Sequence, residues 1–156
     1  MAGAPPAIDL AAEKRLIACL VALASEGAIL SAHDVSDGGL AVTLAESCFG
    51  ADALSINVLS ADVSLGGTTD GAHENAPAEA ALFGERGARA VVSLSPASLA
   101  RVNEIAAQYK VNTQRIGTVT TGEFRIQYNG HVVIRGDVAS LRRAWSESLQ
   151  KAIENA

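Results

Sequence analysis

Apolar positions recur along the chain at helical and strand spacing, separated by short polar or glycine-rich breaks. Leu16, Ile17, Leu20, Val21 and Ala24 repeat at i, i+4 and i+8, the stripe of a helix that buries one face. Asp9 stands where such a helix wants an N-cap, and Gly27 where it wants a left-handed C-terminal cap. Ile29–Val35 reads as short and extended, and it runs straight into Ser36-Asp37-Gly38-Gly39. Leu40–Phe49 predicts a second helix, stopped by Gly50. Leu54, Ile56 and Val58 alternate with Ser55 and Asn57, the period of a half-buried strand.

Leu65–Asn75, with Gly66, Gly67, Asp70, Gly71 and His73, is the most loop-like stretch. Pro77 leads an Ala-rich helix ending at Phe83, and Ala88–Leu94 predicts a strand. Ser95-Pro96 then opens a helix with Leu99, Val102, Ala106 and Tyr109 on its buried side. Arg115–Val119 and Phe124–Tyr128 are strand-like. Asn129-Gly130 between Phe124–Tyr128 and His131–Arg135 is a hairpin signal, because a type I′ turn needs positive φ at both central residues. Val138, Leu141, Trp145 and Leu149 give the last helix its apolar face. Strands alternating with helices, plus a hairpin, predict an α+β fold in which a mixed β-sheet is flanked by α-helices. Met1–Ala7, with Pro5 and Pro6, reads as a tail or linker, and residues 8–156 as a single domain.

Composition narrows the function classes. Of 156 residues, 49% are hydrophobic and 19% charged, enough for a real core and too apolar for global disorder. Thirty are Ala and six aromatic, so the core must be built from small and aliphatic side chains. A net charge of -5 disfavours nucleic-acid binding, which needs a cationic surface to displace counterions. Cys19 and Cys48 are too few for a disulfide scaffold or a four-ligand zinc site, and both fall in apolar helical patterns. Two buried thiols suit a reducing cytosol, no secretory signal opens the chain, and no apolar run is long enough for a bilayer. A cytoplasmic protein without membrane partners is the expectation.

Ser31-Ala32-His33-Asp34-Val35-Ser36-Asp37-Gly38-Gly39-Leu40 is the most informative stretch, because it joins a strand to a helix. Consecutive glycines at a helix start leave backbone N–H groups open to an anion. The acidic neighbours oppose direct phosphate binding unless Mg²⁺ bridges carboxylate and phosphate. The residues by themselves favour the plainer reading, in which Ser36 or Asp37 caps the helix and the glycines permit tight packing. His33 and Asp34, as strand neighbours, point to opposite faces, which favours a hydrogen-bonded His over a ligand. Nothing brings His33, His73 and His131 together.

Phe83-Gly84-Glu85-Arg86-Gly87-Ala88-Arg89 is the second candidate. Its glycines flank a Glu–Arg pair before a strand, so the loop could present a carboxylate to a ligand or form a turn with a solvated ion pair. The chain has no Walker A loop, dinucleotide G-x-G-x-x-G, G-x-S-x-G or H-E-x-x-H. Cys48 reads as core rather than nucleophile, since nothing near it would lower its pKa.

In order and spacing these segments resemble the C-terminal domain of phosphoribosylformylglycinamidine synthase, a family with the aminoimidazole ribonucleotide synthetase-like fold. The resemblance rests on Ser31–Leu40 running into Ala45-Glu46-Ser47-Cys48, on Leu82-Phe83-Gly84-Glu85 with Arg89, on Arg115-Ile116-Gly117, and on the Gly130–Leu141 region. It covers roughly Ala11 to Ala152.

The resemblance implies part of an ATP-dependent C–N ligase of purine biosynthesis. ATP and Mg²⁺ activate the formamide oxygen of formylglycinamide ribonucleotide, and glutamine-derived ammonia displaces the phosphate. Implied partners are the ATP-binding half and the glutaminase component, neither of which has a counterpart in this chain, so the chain alone is expected to be inactive. The chain resembles the second of two copies of the domain. By similarity to the first copy, Asp34 matches a Mg²⁺-binding aspartate, and Glu85, Arg86 and Gly87 match the substrate loop. Gly38 and Gly39 are the phosphate candidates at the helix start. Arg86-Gly87 departs from the Ser-Gln usual after that Glu, and the second site is expected to hold a structural nucleotide, so no catalytic residue is assigned. The competing expectation is a non-catalytic binding or assembly module that kept the fold.

Overall fold

The computed structural model describes residues 8–50, 59–66 and 77–154. The elements are α1 (Leu10–Ser25), β1 (Ser31–Asp34), α2 (Gly39–Glu46), β2 (Ser60–Leu65), α3 (Ala78–Phe83), β3 (Ala90–Ser93), a 3₁₀ turn (Pro96–Ser98), α4 (Leu99–Gln108), β4 (Gly117–Thr120), β5 (Phe124–Tyr128), β6 (His131–Gly136) and α5 (Val138–Glu154). The α+β expectation holds. The chain divides into two compact units, Met1–Thr43 with Leu82–Arg115, and Leu44–Ala81 with Ile116–Ala156.

In the first unit Asp9 caps α1, its carboxylate accepting from the N–H groups of Ala11 (2.9 Å) and Ala12 (3.0 Å). Gly27, at φ +63°, turns the chain out of the helix. Cys19, Leu23 and Ala28 pack with Val102, Ile105 and Ala106 of α4 in one buried cluster. The predicted stripe is therefore corrected: Cys19 and Leu23 form the buried row, while Ile17 and Val21 are 60% and 61% exposed. The helix is apolar on two sides, and α4 packs on one of them. β1 pairs antiparallel with β3, Ser31 opposite Ser93 and Asp34 opposite Ala90. The predicted strand from Ala88 starts later, at Ala90, because Ala88 takes a left-handed φ of +53°.

α2 also ends earlier than the expected Phe49. After Glu46 the Cys48 and Phe49 N–H groups bond to Ala45 and Glu46, three residues back, which tightens the chain into turns. Cys48 is thus buried in a turn rather than on a helix.

The second unit holds a four-stranded mixed sheet in the order β4-β2-β5-β6. β2 runs antiparallel to β4 and parallel to β5, with Val63 opposite Ile126. The β5–β6 hairpin turns at Asn129-Gly130, at φ +49° and +80°, with Tyr128 opposite His131, as the dipeptide predicts. Ala61, Val63, Phe124 and Ile126 alternate into the core. Arg125 donates to Asp62 on the neighbouring strand, Nε to Oδ1 at 3.0 Å. β4 starts at Gly117, two residues after the expected Arg115. In α5 the periodicity is present but the burial differs from the sequence reading: Val138 is buried, whereas Trp145 is 56% and Leu149 73% exposed. The Trp145 ring meets Phe49 with centroids 5.8 Å apart.

The tail Met1–Ala7, the Leu54–Val58 strand pattern and the loop region 67–76 with His73 lie outside the described residues.

Candidate functional site

Both sequence candidates fall in the first unit. β1 ends at Asp34, and the next N–H, of buried Val35, donates to Arg89 O at 3.0 Å. The chain then turns, Gly39 N–H closing onto Ser36 O at 3.0 Å, and α2 begins. Gly38 and Gly39 sit at φ +77° and +68°, where L side chains are strained. A Cβ on Gly38 would lie 2.5 Å from the Val42 side chain. Buried Thr43 ties the turn together, its hydroxyl lying 3.1 Å from Asp34 O and 3.0 Å from Gly39 O. A single hydroxyl hydrogen is shared between these two carbonyls.

The second candidate faces this turn. Glu85 Oε1 accepts the Gly38 N–H at 3.3 Å, a long bond across 47 residues of sequence. The loop is closed on itself by Arg89, whose Nη2 donates to Gly84 O at 3.1 Å. On its far side Ala88 N–H donates to Glu13 Oε1, from α1, at 2.5 Å. Gly87 is packed so closely that a Cβ there would lie 2.5 Å from the same oxygen.

The structure therefore brings Gly38, Gly39, Glu85 and Gly87 into one assembly. The charge that meets the first open N–H of the turn is the protein's own Glu85 carboxylate, which complements the positive end of α2. Asp34 stands at the end of β1, its side chain 77% exposed. His33 Nδ1 bonds locally, 2.8 Å from Asp34 O and 3.6 Å from Asp34 Oδ1, as expected of a His satisfied within the structure. Arg86 is half-buried in the loop, and His131 lies in β6 of the other unit.

Among the described residues no group of three or more His, Cys, Asp or Glu side chains could hold a metal ion. A single exposed carboxylate such as Asp34 suits a Mg²⁺ that takes its other oxygens from water and from phosphates, rather than a cage made of protein. Burial pushes the Cys48 thiol up to about 11, which agrees with a core role. No helix among the described residues is long and apolar enough to cross a membrane.

Two residues that shape the site, Thr43 and Glu13, had no role in the sequence reading, and a third, Arg89, entered it without its contact to Gly84. Thr43 leaves a trace, as a polar residue inside the apolar run Leu40–Leu44. Arg89 was visible only as part of the loop. Glu13 gives no local signal beyond an acid in a first helical turn, because its partner lies 75 residues away.

The family model described as AIR synthase related protein, C-terminal domain, matches residues 2–129. The phosphoribosylformylglycinamidine synthase subunit PurL of Chlorobaculum tepidum is 36% identical over 95% of this chain and 19% of its own length. That of Thermobifida fusca is 36% identical over 99% of this chain and 18% of its own. The chain thus spans about a fifth of the length of the curated relatives it matches. A structure of T. maritima PurL complexed with ATP superposes with a TM-score of 0.70 at 26% identity, covering 86% of this chain and 22% of that one. T. maritima PurL complexed with FGAR gives 0.65 at 25% identity, over 83% and 20%. The motif order, the double-glycine turn facing the Glu85 loop and the match over residues 2–129 lead to one conclusion: the chain belongs to the family of the AIR synthase related protein, C-terminal domain.

Proposed function

We propose that this chain serves as a domain of phosphoribosylformylglycinamidine synthase, an ATP-dependent ligase of purine biosynthesis working in the cytoplasm. The supporting observation is the joining of the Ser36–Gly39 turn to the Glu85 loop through Gly38, on a chain that aligns almost end to end with PurL subunits. In the reaction the formamide oxygen of formylglycinamide ribonucleotide takes the γ-phosphoryl group of ATP, and ADP leaves. Ammonia released from glutamine then adds to the activated carbon, and phosphate departs with the oxygen to leave the amidine. Phosphoryl transfer relies on cationic groups and metal clamping the phosphates. The partners of this domain are accordingly an ATP-binding half and a glutaminase component.

Within that enzyme Gly38 and Gly39 shape the start of α2, while Glu85, Arg86 and Gly87 form the loop that faces a ligand. Asp34 would hold a Mg²⁺ shared with nucleotide phosphates, where the ion neutralises phosphate charge. A second reading is favoured by one specific contact. Because Glu85 already meets the Gly38 N–H, a phosphate would have to displace it, which suits a domain that supports the architecture without turning over substrate. The two readings share one expected result. The purified chain with formylglycinamide ribonucleotide, ATP, Mg²⁺ and ammonium gives no amidine, and adding the rest of the synthetase, with the first copy of the domain, restores it. Asp34→Ala in that complete enzyme then abolishes amidine formation under the first reading only. Amidine made by the chain alone, above a no-enzyme control, overturns both.

A further inference from the structure

We propose that Glu13 is a positioning residue for the Gly84–Ala88 loop, holding it where Glu85 reaches the Gly38 N–H; the ligand-facing role of that loop rests on the function proposed above. Three observations converge on the Glu13 carboxylate. Oε1 accepts the N–H of Ala88, a residue with a left-handed φ of +53° just before β3. The same oxygen fills the space a side chain on Gly87 would need, 2.5 Å from an ideal Cβ. And Glu13 is carried on a fixed support, because Asp9 caps its helix while Cys19 and Leu23 lock that helix onto α4.

The loop is therefore held at both ends by carboxylates from outside or within it: Glu13 grips Ala88, and Glu85 grips Gly38. The contact to Ala88 is part-buried, whereas the Gly38 contact is long, at 3.3 Å, and exposed. Both acceptors are carboxylates, and the part-buried contact is the better shielded from competing water, so the Glu13 end sets the loop and the Glu85 end follows it. Gly87 belongs to the same device. Its φ lies outside the left-handed region, so the limit on its size is Glu13 rather than backbone conformation.

The test is backbone amide exchange on the 156-residue chain at neutral pH, with trypsin cleavage after Arg86 as an independent readout. Glu13→Ala is expected to speed exchange at Ala88 about tenfold or more, to speed it at Gly38 as well, and to raise cleavage after Arg86. Glu13→Gln should restore both amides, because its amide oxygen accepts the same N–H. Gly87→Ala should loosen Ala88 in the native chain yet change nothing further in Glu13→Ala, the non-additivity expected of two groups competing for one space. If Glu13→Ala fails to fold, Gly87→Ala carries the test, and Ala88 and Gly38 amides that it leaves unchanged overturn the proposal. An unchanged Gly38 amide in a folded Glu13→Ala, or additive effects of the two substitutions, overturns the proposal. None of these measurements needs a ligand. Titration of formylglycinamide ribonucleotide into the native chain reports separately on the proposed function.

Discussion

Gly39 packs against Leu82 with no room for a side chain: an ideal Cβ would lie 2.8 Å from the Leu82 carbonyl oxygen and 2.8 Å from the Phe83 carbonyl carbon. These are backbone atoms, which cannot swing away as a flexible side chain could. The second glycine of the turn is thus required by the approach of the chain at Leu82 and by its own φ of +68°, independently of any ligand.

Gly39→Ala should accordingly destabilise the chain by about 3 kcal/mol, the sum of a left-handed φ and an overpacked contact. Gly50→Ala is the control, since its Cβ meets nothing within 4 Å. It should stay within about 1 kcal/mol of the native chain. Urea unfolding monitored by circular dichroism measures both, and equal effects would remove the packing explanation.

The acid limb of stability should carry the mark of Arg101. Its guanidinium grips Glu26 twice, Nε to Oε2 and Nη2 to Oε1, each at 2.8 Å, and reaches Glu104 at 2.6 Å. These hydrogen bonds hold the Glu26 carboxyl below its ordinary value of 4.5. A depressed carboxyl binds its proton more readily in the unfolded chain. Its contribution is therefore present above the ordinary value and is lost as pH falls through the depressed one. The pair is half-exposed, so salt screens it. Arg101→Gln should lower the melting temperature at pH 7, with the gap to the native chain closing as pH falls below about 4. A gap independent of pH would assign the effect to packing of the arginine stem.

Neither thiol should react in the folded chain. Cys48 is pushed up to about 11 by desolvation and Cys19 is raised by the same cause. At pH 8 about one Cys48 in a thousand is thiolate, and both residues are buried. A colorimetric disulfide reagent should titrate none of them in buffer and two per chain in denaturant. Fast labelling of one thiol in buffer would show a local opening.

Much of the secondary structure was legible because it is written in short-range chemistry. The Asp9 cap, the Gly27 exit and the Asn129-Gly130 turn each depend on a few consecutive residues, and each appears where those residues predict it. The ends of α2 and β3 were less legible. Glu46 and Ala90 are boundaries set by turn hydrogen bonds and by an unforeseen left-handed Ala88.

By itself the sequence determined the alternation of helices and strands, the two glycine-bearing segments and their kinship with one family, since periodicity and turn chemistry act over a few residues. Only the tertiary structure decided that Cys19 and Leu23, rather than Ile17 and Val21, face α4, because a helix apolar on two sides leaves that choice to its partner. It also decided that Glu85 reaches Gly38 and that Glu13 reaches Ala88. Contacts across 47 and 75 residues follow from how strands pair and helices dock, and no local pattern encodes them.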